Sequence, residues 1–353
     1  MNKTWEKVLI APHNTILEAL NIINKEALRI ALVVDANRKL LGVVTDGDIR
    51  RGLLKNLPLT ENITSVMNTT PITAPVGTNS QLLNRLMEEH SILSIPLIED
   101  NKVVGLETIQ TSNVKKKYDN PVFIMAGGFG TRLRPLTNTC PKPMLKIGDK
   151  PILEITLNSF INNGFSNFYI STHFMPEVIE NHFGDGSLLG VNIKYIHEHQ
   201  PLGTGGALGL LPEDLADDLP LIMINGDILT NIDYESLINF HTDNIADVTV
   251  CVREFNYQVP YGVIAGENNR VKSIVEKPIQ SFFVNAGIYA ISPHVFKSVP
   301  KNYRIDMPSL MQNIMEKEGK VLMFPVHEYW LDIGRMDDFY KAQQDIFSIR
   351  FKK

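Results

Sequence analysis

Two stretches of the chain repeat one order of apolar and polar positions. An apolar run at 31–35 is followed by a polar turn and a second apolar run ending at Gly42. The run at 95–99 is followed in the same way by one ending at Gly105. Each reads as a strand, a turn and a second strand. Ahead of each lies a segment with apolar residues at helical spacing, 15–24 and 80–90, with Thr15 and Ser80 suited to cap it. Helix, strand, strand, given twice, predicts a pseudo-symmetric α+β pair. The polar and charged stretch 111–120 reads as a linker, and its Lys115-Lys-Lys117 run as a solvated one.

After Pro121 the period changes. A short apolar strand at 122–125 runs into a Gly-rich turn. Strand-like segments at 167–172, 191–196 and 221–224 then alternate with helix-like ones at 176–182 and 234–240, and 337–349 reads as an amphipathic helix. This alternation predicts an α/β domain with a mostly parallel sheet, and a division of the chain into 1–117 and 118–353. In such sheets the loops at the carboxyl ends of strands carry the chemistry.

The 353 residues are enough for two domains, and 44% hydrophobic with 21% charged residues is ordinary for a globular chain. The net charge of −5 offers no field for a polyanion, so nucleic acid is not expected as a partner. No apolar run reaches the length of a membrane span, and the N-terminus does not read as a signal peptide. Cys140 and Cys251, far apart, read as reduced thiols, and the chain is expected to be cytoplasmic.

Four loops stand out. Ala126-Gly-Gly-Phe-Gly-Thr-Arg-Leu-Arg-Pro-Leu-Thr137 follows the first strand of the α/β part, and its glycines let backbone N–H groups approach an anion. Arg132 and Arg134 add charge suited to phosphate, and Lys142, between two prolines, is held on a stiff backbone. The segment matches neither the P-loop nor the dinucleotide fingerprint. Gln200-Pro-Leu-Gly-Thr-Gly-Gly-Ala207 runs from a strand into a helix, where its glycines can face a ligand. Asp227 stands just past an apolar strand, either as an oxygen ligand for Mg²⁺ or as a cap of the next helix. Asp332, in Trp330-Leu-Asp-Ile-Gly334, reads by itself as a cap of the next helix. His197 and His199 share one face of a strand, but with no third ligand nearby they read as a coincidental pair.

The Gly-rich segment together with Pro-Lys-Pro-Met resembles the sugar-1-phosphate nucleotidyltransferases, over roughly residues 120–350. That resemblance implies a Rossmann-like catalytic domain with a mixed, mostly parallel sheet. It implies that Ala126, Gly127, Gly128, Gly130 and Thr131 hold base and triphosphate with Gln200, Gly203 and Thr204. Arg132 and Lys142 then neutralise the phosphate under attack, and Asp227 and Asp332 hold Mg²⁺. Segments around Gly262, Glu276-Lys277 and Asn285 match those at the sugar phosphate. The substrates implied are a nucleoside triphosphate and a sugar 1-phosphate. The Pro-Leu-Gly-Thr-Gly-Gly-Ala loop resembles guanylyltransferases acting on mannose-, heptose- or glucosamine-type sugars, with a UTP- or CTP-dependent transferase as the alternative.

The N-terminal repeat resembles a CBS domain pair. Gly42-Val-Val-Thr-Asp-Gly-Asp48 matches that module's ribose-binding pattern, with Thr45 and Asp48 at the key positions for an adenine nucleotide. The second copy keeps Thr108 but has Thr111 in place of the acid. The pair can equally serve dimerisation, and a homo-oligomer is expected. A non-catalytic nucleotide-sensing subunit is the reading from another class, against which Arg132, Lys142, Asp227 and Asp332 are all retained.

Overall fold

The repeat folds twice in the same order. Helix α1 (Ile16–Glu26) starts at a reciprocal cap, Thr15 Oγ1 accepting from the Glu18 N–H at 3.3 Å and Glu18 Oε2 from the Thr15 N–H at 2.7 Å. Strands β1 (Leu9–Ile10), β2 (Ile30–Val34) and β3 (Leu40–Thr45) form one three-stranded sheet, with β1 parallel and β3 antiparallel to β2. In the second copy, β4 (Ala74–Pro75), β5 (Ser94–Glu99) and β6 (Lys102–Thr108) repeat that pattern beside α3 (Ser80–Glu89). Ser80 is the first residue of its helix rather than the residue before it. After β3 comes α2 (Asp46–Leu54). Thr111 lies outside the described residues, which in this computed structural model are 3–26, 28–108, 117–215 and 217–347. The chain divides into two compact units, Met1–Val114 and Lys115–Lys353.

The second unit opens earlier than its polar sequence suggests. Tyr118 stacks on Phe165 with ring centroids 4.8 Å apart, and the buried Asn120 donates to the Pro220 carbonyl at 2.9 Å. The last residues of the expected linker are therefore core, because a stacked ring and a satisfied amide outweigh the local polarity.

Its seven-stranded sheet has the order β11-β10-β7-β12-β17-β14-β18. The strands are β7 (Val122–Met125), β10 (Asn167–Thr172), β11 (Asn192–His197), β12 (Leu221–Asn225), β14 (Val248–Gln258), β17 (Ile279–Ile291) and β18 (Val321–Pro325). The first four in that order are mutually parallel. β17 is antiparallel to both its neighbours, and β18 is parallel to β14. Three short pairs lie outside it: β8 (Lys146–Ile147) with β9 (Lys150–Pro151), β13 (Ile228–Thr230) with β19 (Trp330–Asp332), and β15 (Val263–Glu267) with β16 (Arg270–Val275). Alternate residues of β7 feed opposite cores. Val122 and Ile124 pack with Phe160 and Phe168, and Phe123 packs with Met223 and Tyr289. The helices are α4 (Ile152–Asn162), α5 (Pro176–Phe183), α6 (Gly203–Gly206), α7 (Tyr234–Asp243), α8 (Pro293–Lys297), α9 (Met307–Glu316) and α10 (Met336–Asp345). The consequence for function is that β7, β10, β11 and β12 present their carboxyl ends on one edge.

Candidate active site

The Gly-rich loop leaves β7 pinned to its neighbour, the Ala126 N–H donating to the Ser171 carbonyl at 3.0 Å. Gly128 faces open space. Gly130 has φ +60°, and a Cβ there would stand 2.9 Å from both Lys142 Cβ and Thr137 Cγ2, so only glycine lets the turn close on Lys142. Thr137 seals it by donating to the Gly130 carbonyl at 2.8 Å. Thr131 and Arg132 follow in an exposed 3₁₀ turn.

Lys142 is buried, and its ammonium forms an ion pair with the Asp227 carboxylate. Asp227 owes its place to Gly226, whose N–H donates to the Met125 carbonyl at 2.8 Å. A Cβ on Gly226 would stand only 2.6 Å from that same oxygen. β13 then pairs antiparallel with β19, setting Ile228 opposite Asp332, and the Ile333 N–H donates to the Asp227 carbonyl at 3.0 Å. A strand pair thus joins two carboxylates that sequence alone could relate only by resemblance. Arg132 completes the cluster, its guanidinium 3.5 Å from the point a Cβ on Gly334 would occupy. The Asp332 carboxyl is raised above its ordinary range, first by desolvation and then by the neighbouring Asp227, while Lys142 and Arg132 pull it back. Two mutually repelling carboxylates on adjacent backbones suit a hard divalent cation.

The Pro-Leu-Gly-Thr loop is tied down through its backbone. The Gly205 and Gly206 N–H groups both donate to the Ile305 carbonyl at 2.9 Å, and the Thr204 N–H donates to Asp306 Oδ1 at 3.1 Å. Thr204 Oγ1 accepts from the Met307 N–H at 2.9 Å. These donors anchor the loop to the start of α9, two through the Ile305 carbonyl and one through the Asp306 carboxylate. Gln200 is exposed and Gly203 half-buried.

Sequence reasoning passed over Glu198, between the two histidines. It is buried, accepts from the Ser171 hydroxyl and accepts from the Leu202 N–H at 3.0 Å. Its Oε1 lies 3.0 Å from where a Cβ on Gly127 would stand. One carboxylate therefore faces both loops expected to hold the nucleotide. The signal available was an acid closing an apolar strand just before a Gly-rich loop. Of its neighbours, His197 meets Thr172 Oγ1 at 3.0 Å and Glu180 at 3.5 Å, in a structural role.

The sugar-end residues are spread out. Gly262, Glu276 and Lys277 are exposed, with Glu276 Oε2 2.8 Å from the Cβ position of Gly262. Asn285 donates to the Tyr289 hydroxyl and accepts from the Gly287 N–H, both at 2.8 Å. In the first unit, Thr45 and Asp48 form the cap of α2: the Thr45 N–H and hydroxyl donate to Asp48 Oδ2 at 2.8 and 2.6 Å, and Arg51 reaches Oδ1 at 2.6 Å.

Residues 122–348 match the nucleotidyl transferase family, well over half of the chain. The chain belongs to the nucleotidyl transferase family. Residues 4–55 of this nucleotidyl transferase match the CBS domain, covering the first copy of the repeat. Its curated relatives include the mannose-1-phosphate guanylyltransferase of Mycobacterium tuberculosis, 33% identical over 230 residues, which are 63% of either chain. The mannose-1-phosphate guanyltransferase of Yarrowia lipolytica is 34% identical over 61% of either. The transferase chain thus spans less than two thirds of the length of these relatives. Among solved structures, HddC from Yersinia pseudotuberculosis, known also complexed with GMP-PN, is 28% identical. It aligns over 64% of this chain and 99% of its own, with a TM-score of 0.51. Among the described residues no helix is long and apolar enough to cross a membrane.

Proposed function

We propose that this chain transfers a nucleoside monophosphate to a sugar 1-phosphate of mannose, heptose or glucosamine type, with GTP the favoured donor, releasing pyrophosphate. The observation that carries the reading is the cluster of Lys142, Asp227, Asp332 and Arg132 at the carboxyl edge of the sheet. A sugar-phosphate oxygen attacks the α-phosphorus in line, and the bond to the β-phosphate oxygen breaks. Positioning and charge neutralisation do most of such work. Lys142 and Arg132 stabilise the charge growing on the phosphoryl oxygens, and the loop 126–131 cradles the triphosphate. Asp227 and Asp332 are the residues that would hold Mg²⁺, which when bound neutralises phosphate charge. Glu276, Lys277, Gly262 and Asn285 meet the sugar phosphate, and Gln200, Gly203 and Thr204 border the nucleotide.

Guanine is favoured for two reasons. Two of the chain's curated relatives are named mannose-1-phosphate guanylyl- and guanyltransferase. The buried Glu198 carboxylate, with lone pairs to spare, is the acceptor that the paired N1–H and N2–H donors of guanine require, and uracil and cytosine offer no such pair. Thr45 and Asp48 are the residues for an adenine nucleotide at the CBS unit, and a cytoplasmic homo-oligomer is the form in which we place the enzyme.

Pyrophosphate release with Mg²⁺, crossing five nucleoside triphosphates against four sugar 1-phosphates, tests the reading. One strongly preferred pair containing GTP is expected. A preference for UTP or CTP would reassign the base, and no release with any pair, with or without adenine nucleotides, would refute the activity.

A further inference from the structure

Among the described residues, the outer halves of β14 and β17 pair with no third strand. β12 pairs with β17 only at 288–291, and β18 pairs with β14 only at 248–252. Beyond that, the two run on as a lone ribbon from Val252 opposite Asn285 to Gln258 opposite Ile279. β15 and β16 make a second lone ribbon within the same arm. From Phe255 through Asn285 no residue is buried. Yet the arm carries Phe255 at 54% exposure, Ile264 at 63%, Ile274 at 67%, Ile279 at 65% and Phe282 at 52%. An isolated two-stranded ribbon is marginally stable in water, and its unpaired edges are templates for another strand. Apolar surface of this extent marks a site of association.

We propose that the arm is a self-association surface, covered in solution by the same arm of a second copy of this chain. Its size fits. The 31 residues of 255–285 compare with roughly 20–30 a side in a standard interface. Its charges also fit. On the β15–β16 ribbon, Glu267, Arg270 and Lys272 mix both signs, which leaves no attraction for a polyanion or a strongly basic partner. A two-fold axis sets such a patch against itself, so cations of one copy meet carboxylates of the other. The same axis brings like edges together antiparallel, which is how one ribbon extends another. Lys272, tied to Glu267 across the β15–β16 ribbon, guards the β16 side, whereas β15 has no lysine along its free edge.

Sedimentation velocity on the full chain over a range of micromolar concentrations tests this without reference to activity. A concentration-dependent dimer is expected. Ile264→Glu and Ile274→Glu should each weaken it by on the order of tenfold or more. Deuterium exchange at the amides of β15 and β16 should slow as dimer forms. Circular dichroism checks that each variant is folded, and Ile264→Ser and Ile274→Ser replace any that is not. A wild type that stays monomeric overturns the proposal, as does a dimer that all the variants leave intact. Arm amides equally protected at every concentration also overturn it, and would show the arm packed on its own chain instead.

Discussion

β17 belongs to two worlds. As far as Asn285 it is exposed or half-buried, one side of a bare ribbon; from Ala286 onward it is buried in the sheet beside β12, the strand that leads to Asp227. At the carboxyl edge four polar groups have fixed partners. Lys142 is held by Asp227, Asp227 by Ile333, Glu198 by Ser171 and Leu202, and Thr204 by Asp306 and Met307. On the arm most side chains are turned to solvent. Electrostatic catalysis of phosphoryl transfer needs donors fixed before substrate arrives, whereas a surface that must meet a partner needs groups still free to do so.

The comparison breaks most sharply at Lys142. Replacing it with alanine is expected to raise the barrier by about 3 kcal/mol, on the order of a hundredfold in kcat/KM. A variant within threefold of wild type in subsaturating pyrophosphate-release assays would remove the lysine from the chemistry. Acid should distinguish the packed body next. His241 is buried between Thr249 Oγ1 at 2.9 Å and Ser292 Oγ at 3.0 Å. Ser292 donates to the Ala246 carbonyl at 2.7 Å, so Nε2 carries the proton and Nδ1 accepts. Desolvation lowers the imidazole from 6.5 to about 4. Because the unfolded chain takes up the proton first, stability is full above pH 6.5 and lost as the pH falls toward 4. The loss reaches about 3 kcal/mol. Denaturant titrations at several pH values should show it, and His241→Asn should flatten the slope. The smallest contrast sets Gly226→Ala against Val271→Ser. The first drives a Cβ into the Met125 carbonyl and should cost roughly 1–3 kcal/mol of stability. The second, on an exposed arm position, should shift it by no more than about 0.5 kcal/mol in the monomer. Equal midpoints for the two would erase the distinction between edge and arm.

Much of this was legible beforehand, and the exceptions have a common cause. The strands at 122–125, 167–172 and 221–224, and the glycines beside Lys142, carry local signals of period, turn and Pro-locked backbone. What could not be read was contact over distance. Thr204 turns inward because of Asp306, about a hundred residues on, and Tyr118 joins the core because Phe165 is waiting for it. Glu198 stands between two histidines in the sequence, and only its burial shows it facing the Gly127 loop. Propensity reports what a residue prefers among its neighbours in sequence, and these three are decided by neighbours in space.

The pairing of β13 with β19 has a temporal side. Asp227 leaves the ribosome long before Asp332, so for the whole interval in which the intervening strands are made, one carboxylate and its lysine exist without the other. Closing that gap spans a long loop, which makes it a slow and late contact. A growing chain can therefore complete its seven-stranded sheet while Asp227 and Asp332 are still apart, and the two acids come together only after β19 has been made.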